Sequence, residues 1–373
     1  MLQPCRRYNR DQGYGLATTD SSGSYYTGTI VPQNLVFALN SVLSPVLINE
    51  TKVGFNGSKT RATGYFPATP GIDLSGATVS ISGTPNFAGI SQFVNPTGQI
   101  KLSSAFPGRA APYTNYSLSF IDSLSWIHRN HNVKFGVEIR PQSIHSAFYG
   151  GTAYSFNGVQ ALLSDTPSQI QVIDDSISTS PFTGKSGFWN IHQTFYIGYA
   201  QDEWKIRPNF TMSYGLRFEY YTPMHEANDR VLWFDVPTGT LIPNFKGDWY
   251  TMRKNIGPRL GFTWAPDRFN GKTVFRIGAG YYFGPGLGEG QTQPPQNDRA
   301  QTTISTPGDP LLAFPANQKA ILATYNVNNP NLGYQPRAYL PDYRIPENIL
   351  QYSASVQQEL PGHAVLTVGY VGS

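Results

Sequence analysis

Few residues in this 373-residue chain are spaced for chemistry. His128 and His131 form an H-x-x-H pair that could offer two imidazoles to a metal. They bracket Arg129-Asn130 between two alternating runs, where they read as the polar tip of a hairpin. Asp174-Asp175 and Asp202-Glu203 are adjacent acids. A strand sends neighbours to opposite faces, so neither makes a general acid–base pair. Gly284-Pro285-Gly286-Leu287-Gly288-Glu289-Gly290 follows a strand as a phosphate loop would. Pro285, the missing helix and the missing lysine make it an ordinary loop. Ser, His and Asp are plentiful, but no G-x-S-x-G elbow exists. Cys5 is the only cysteine, which excludes an internal disulfide and a Cys/His metal pattern. No catalytic, cofactor or metal residue is expected, and the chain reads as a non-enzyme.

What remains is a set of charges inside alternating runs: Arg140, Arg217, Glu219, Arg259 and Arg276. Each falls on the polar side of its run. Such groups could touch a solute or an inserted domain. They could equally solvate a lumen and pair with one another, which is the preferred reading. Trp189, Trp233 and Trp249 lie in loop-like segments, where they either bind a ligand or pack the loops together.

The elements that position these charges are strands. The stretch Thr194 to Tyr221 organises the chain: two aromatic-rich runs flank the turn signal Arg207-Pro208-Asn209. In the second run Phe210, Met212, Tyr214, Leu216, Phe218 and Tyr220 share one face. Thr211, Ser213, Gly215, Arg217 and Glu219 share the other, so the period is two. In the first run Phe195, Ile197 and Tyr199 oppose Gly198, Ala200 and Asp202, and Trp204 falls where an apolar slab ends. Hairpins of the same kind are expected near 35–56, 116–146, 256–283 and 348–371. In the second of these, Val133, Phe135, Val137 and Ile139 alternate with Lys134, Gly136, Glu138 and Arg140. Asp122 is a misfit on an apolar face formed by Tyr116, Leu118, Phe120, Leu124 and Trp126. Residues 1–34 and the segments 57–115, 148–192, 222–254 and 284–346 read as loop, with a short helix near 158–165 and an extra strand at 231–236.

Charged residues make up 13% of the chain and aromatic residues 14%, about half the usual charge of a soluble domain. The net charge of +4 is unclustered, so nucleic acid is not implied. No run of apolar residues approaches a transmembrane helix. The connections alternate short and long without exception, placing every short turn on one side. That is the pattern of an all-β, antiparallel up-and-down transmembrane β-barrel, here partial with about ten strands, short periplasmic turns and long extracellular loops. Trp126, Trp204, Trp264, Tyr220, Tyr281 and Tyr352 supply aromatic girdles. Outer-membrane lipid is then one partner. A soluble or surface-exposed β-rich carbohydrate-binding module is the competing reading, and a passive porin or adhesin barrel the third.

The segments NHNVKFGVEIR (130–140), YAQDEWKIRPNFTMSYGLRFEYY (199–221), NIGPRLGFTWAP (255–266), TVFRIGAGYYFG (273–284) and YSASVQQELPGHAVLTVGYVGS (352–373) resemble the barrel of Oar-like TonB-dependent receptors. LNSVLSPVLINETKVGFN (39–56) fits the same family. The resemblance implies import of a large or scarce nutrient across the outer membrane, with a plug domain and the TonB complex as partners and an extracellular ligand that no motif names. Neither a plug nor the regulatory-like N-terminal domain of that family can be read in these residues, so the chain is expected to be an interior piece of a longer product. Its sheet is expected to pair neighbours in sequence throughout, leaving 35–43 and 363–371 as edges.

Overall fold

The computed structural model describes residues 8–10, 25–65, 77–81, 100–103, 111–146, 151–174, 177–178, 180–184, 189–252, 254–284, 297–324, 337–340, 342–343 and 347–373. The chain opens with β1 (Tyr8–Arg10), β2 (Tyr25–Ser44), β3 (Leu47–Tyr65), β4 (Ala77–Ile81) and β5 (Ile100–Ser103). Then come β6 (Ala111–His128), β7 (His131–Ser146), β8 (Gly151–Phe156), the short helix α1 (Val159–Leu163) and β9 (Gln169–Asp174). The central hairpin is β10 (Trp189–Arg207) and β11 (Phe210–Tyr221), followed by β12 (His225–Glu226), β13 (Val231–Asp235) and β14 (Thr240–Phe245). The last part holds β15 (Asn255–Trp264), β16 (Thr273–Phe283), β17 (Ala300–Ile304), the helix α2 (Gln318–Ala323), β18 (Asn348–Glu359) and β19 (Val365–Gly372).

One antiparallel meander dominates, in the order β1-β2-β3-β6-β7-β10-β11-β15-β16-β18-β19, with β12 added beside β10. Strands adjacent in the sheet follow one another in sequence once the small loop elements are set aside, and β19 does not close onto the first strands. The tight connections sit where the breakers place them. Arg129 enters the left-handed region at φ 52, and Asn270-Gly271 do so after a single 3-10 turn at Asp267–Phe269. Gly and Asn tolerate that conformation at little cost.

Several strands are longer than the alternation suggests. β2 and β3 run in register from Tyr25↔Tyr65 down to the turn, so residues 25–34 are strand, not loop. Their Gly, Ser and Thr content hides a strand because the rows beyond the apolar band need no hydrophobic face. The segments expected to be loops also carry structure. β17, β9, β8, β4 and β5 form a second sheet, and β13 and β14 form a separate hairpin. The second sheet packs Tyr154, Phe156, Ile170 and Val172 against Ile304 and Ile321. These apolar positions alternate in short runs that polar linkers interrupt. Residues 285–290 of the glycine-rich loop and Asp175 lie outside the described residues.

The two faces of the meander differ sharply. On one face, Phe37, Leu39, Val137, Leu216, Ile256, Ile277 and Val368 are among the large apolar side chains left exposed. An exposed apolar surface of this extent needs a covering phase, and in a barrel wall that phase is lipid. Trp126, Trp204 and Trp264 stand on the same face near the short turns.

Asp122 is a charged residue among apolar ones, as the alternation implies. It lies on the apolar face opposite Thr51 and Val137. Thr51 Oγ1 donates to it at 2.7 Å and Asn49 Nδ2 at 3.1 Å, so the neighbouring strand β3 satisfies the carboxylate. The first run of the central hairpin is assigned differently by the structure. Phe195 and Ile197 are buried under Tyr221 and Met252, on the face that carries the charges, while Tyr196, Ala200 and Trp204 face outward. Aromatic content alone misidentifies the lipid side of β10, because the loop layer also needs apolar partners.

Candidate functional site

Register places Arg140, Arg217, Glu219, Arg259 and Arg276 on one face. Arg140 pairs with Phe195, which pairs with Tyr221. One step along the strands, Glu138, Ile197 and Glu219 share a row. The next row is Gly136, Tyr199, Arg217 and Gly257. The following one runs Lys134, Gln201, Gly215, Arg259, Gly280 and Gln351.

Within these rows the charges pair along their own strands. Arg140 is ion-paired with Glu138, and Arg217 with Glu219, whose other carboxylate oxygen accepts from the Tyr221 hydroxyl. Side chains two positions apart on a strand share a face, so alternation itself makes these pairs. Glu219 is buried at 6% exposure, where an unpaired carboxylate would be costly. The Arg140 guanidinium also lies 6.0 Å from the Phe195 ring centroid.

Arg259 is different. Its guanidinium stacks over Tyr282 at 4.5 Å and has no carboxylate partner among the described residues, while its buried Nε, like that of Arg140, has no hydrogen-bond partner there. It borders an open cavity of about 810 Å³, with Lys134, Arg217 and Glu203 also in the wall. Arg276 stands apart, nearer the short turns, where it donates to Gln357 at 2.9 Å. The structure thus groups Arg140, Arg217 and Glu219, places Arg259 at the cavity and leaves Arg276 outside the group.

Glu138, Tyr199, Tyr221 and Tyr282 join the cluster although the sequence did not single them out. Glu138 was legible as the polar alternate of Val137 and Ile139. Tyr199 carries a subtler signal: it lies across from Gly136, where an added Cβ would come within 2.3 Å of its ring. A glycine opposite an aromatic marks a side chain laid across the neighbouring strand.

His128 and His131 face each other across the turn as strand partners. His128 lies against Trp126, and His131 stacks on Trp204 while its Nδ1 contacts Asp202 Oδ2 at 2.6 Å. Tyr214 donates to the same carboxylate oxygen at 2.9 Å. Glu203 falls on the opposite face from Asp202, as alternation requires. Trp189 and Trp249 are buried and pack the loop layer. Trp233 is stacked on Phe245 at 4.6 Å.

Solved structures with a similar course include the outer membrane transporter YddB from Escherichia coli, at 12% identity and a TM-score of 0.48, covering 93% of this chain and 36% of that one. The ferric-catecholate import receptor Fiu from K12 E. coli gives 12% identity and a TM-score of 0.47, covering 94% and 41%. The copper transporter OprC gives 12% and 0.42, covering 94% and 40%. The chain thus spans about two fifths or less of the length of these proteins. No curated protein matches it in sequence. Residues 5–373 match the family described as outer membrane beta barrel domain, and the chain belongs to that family of outer-membrane β-barrels.

Proposed function

We propose that this chain forms part of the wall of a TonB-dependent importer, with its charged face lining the lumen. The observation that carries the reading is the charged face itself. Arg140–Glu138 and Arg217–Glu219 are paired in adjoining rows, while Arg259 borders an open cavity without a carboxylate partner among the described residues. A small barrel fills its interior with side chains, whereas a wide one encloses a channel or a plug. A polar, incompletely satisfied wall suits the second case. A plug domain and the TonB complex are the partners such an importer needs, and its ligand enters from the side of the long loops.

The test compares cells with and without the gene, in backgrounds with and without TonB. They are fed in turn a ferric siderophore, cobalamin, an oligosaccharide and a peptide. Uptake of one class that requires both the protein and TonB supports the proposal. Uptake that requires the protein but ignores TonB identifies a passive pore. Uptake of every class unchanged by deletion of the gene overturns the importer reading.

A further inference from the structure

Three of the six histidines in the chain gather at one place. His192 of β10 lies opposite Ser143 of β7 on one side and His225 of β12 on the other. His145 of β7 lies opposite Asn190 of β10 and Thr114 of β6. Thr114 in turn lies opposite Lys59 of β3. All occupy the face that carries Val137, Ile139 and Tyr196, which is the apolar face. They stand toward the long-loop end of each strand. His192 and Trp204 are separated along β10 by more than the 9–11 residues a tilted strand needs to cross the hydrocarbon. The cluster therefore sits at the level of the outer headgroups, above the apolar band.

The group is basic and hydroxyl-rich. The rings of His192 and His225 stack with centroids 5.8 Å apart, and those of His145 and Tyr116 at 5.4 Å. Ser143 Oγ and His192 Nδ1 are 3.1 Å apart, and His145 Nε2 and the Tyr116 hydroxyl 3.3 Å. His225 and Lys59 are exposed. Next to His225, Glu226 lies on the other face of β12, opposite Ile191. It is buried at 3% and turned into the backbone, accepting from the amides of Asn190, Asn228 and Arg230. Among the described side chains of the elements packed against the imidazoles, the titratable and charged groups are Tyr116, Lys59 and Glu226.

We propose that this belt docks the phosphate groups of outer-leaflet lipid, with His145, His192, His225 and Lys59 as the cationic and hydrogen-bonding contacts. Charge complementarity and continuity with the lipid-facing surface commit it to a membrane lipid. Two imidazoles in stacking contact repel each other when both are protonated. A phosphate beside them relieves that repulsion, so binding the anion and protonating the rings favour one another. Histidine changes charge between about pH 5 and pH 8, so docking strengthens as pH falls through that range.

The experiment uses protein extracted from outer membranes into mixed micelles. The probe is a bis-phosphorylated glucosamine lipid, set against the same lipid with its phosphates removed. The phosphorylated form is expected to bind roughly tenfold tighter near pH 5 than near pH 8, the factor of a single charge-assisted hydrogen bond. The dephosphorylated form should show no such change. His192→Gln with His225→Gln should remove most of the pH response, with folding checked by resistance to unfolding in cold detergent. Equal binding of the two lipids, or no pH response in the wild-type protein, overturns the proposal even if the variant does not fold. Competition by inorganic phosphate as strong as that by the phosphorylated lipid would assign the belt to a soluble anion and also overturn it.

Discussion

Thr51 and Asp122 face each other across the β3–β6 pair, and the Thr51 hydroxyl donates to the Asp122 carboxylate at 2.7 Å on the lipid side of the sheet. Unsatisfied polar groups in hydrocarbon are expensive, so this bond is what makes the carboxylate tolerable there. Thr51→Val is expected to destabilise the membrane-inserted protein, because it removes a hydrogen bond to a charged group. Urea unfolding in vesicles measures it. A neutral result would show that Asp122 finds water or a lipid donor instead.

Leu216 and Arg217 are neighbours on opposite faces of β11, the first exposed on the apolar side and the second ion-paired to Glu219. Leu216→Arg should cost roughly 2–4 kcal/mol by placing a charge in the bilayer. Arg217→Leu should impair insertion less, since it affects a polar wall. The same unfolding assay compares them, and a larger loss at Arg217 would mean that the faces are reversed.

Gly257 and Gly261 of β15 make an internal control. A Cβ at Gly257 would meet the Tyr281 carbonyl oxygen at 2.5 Å, whereas at Gly261 the nearest atom is 3.7 Å away. Backbone cannot yield as a side chain can. Gly257→Ala should therefore cost about 1–3 kcal/mol as overpacking, and Gly261→Ala should be near neutral. Parallel melting curves of the two variants decide it.

Burial pushes the Tyr250 phenol up from its ordinary value, and it does the same to Tyr339, with the Tyr250 and Tyr343 hydroxyls adding to the effect. A group whose folded value is raised contributes stability that is complete below its unfolded value, about 10 for a phenol, and is lost as pH rises beyond it. The loop layer around Trp249 should therefore stay packed through neutral and mildly alkaline pH and open only above about pH 10. Tryptophan fluorescence followed against phenolate absorbance checks this, and opening at lower pH would contradict it.

The long strands, their turns and the girdle tryptophans were legible because period two, Gly/Pro/Asn breakers and apolar faces are local signals. The face of β10 was not. Phe195 and Ile197 are apolar because Tyr221 and Met252 of distant segments cover them, and no local pattern separates that demand from contact with lipid. The second sheet was missed for a related reason. Val172 and Ile304 meet only because β9 pairs with β17 across a long separation in sequence. The charged cluster was half legible: alternation set Arg217 and Glu219 on one face, but only the register brought Arg140 into a neighbouring row.

The central claim is that β11 crosses lipid with its even positions outward and its odd positions facing water. Cys5 would be replaced by Ser, and single cysteines bearing a spin label placed at each position from Ser213 to Glu219 in native membranes. Collision with oxygen and with a water-soluble nickel complex then reports the surroundings of each position. Oxygen-dominated relaxation is expected at positions 214, 216 and 218 and nickel-dominated relaxation at 213, 215 and 217, with the buried position 219 reached by neither. Uniform exposure to the nickel complex along the strand, or the opposite phase, would contradict it.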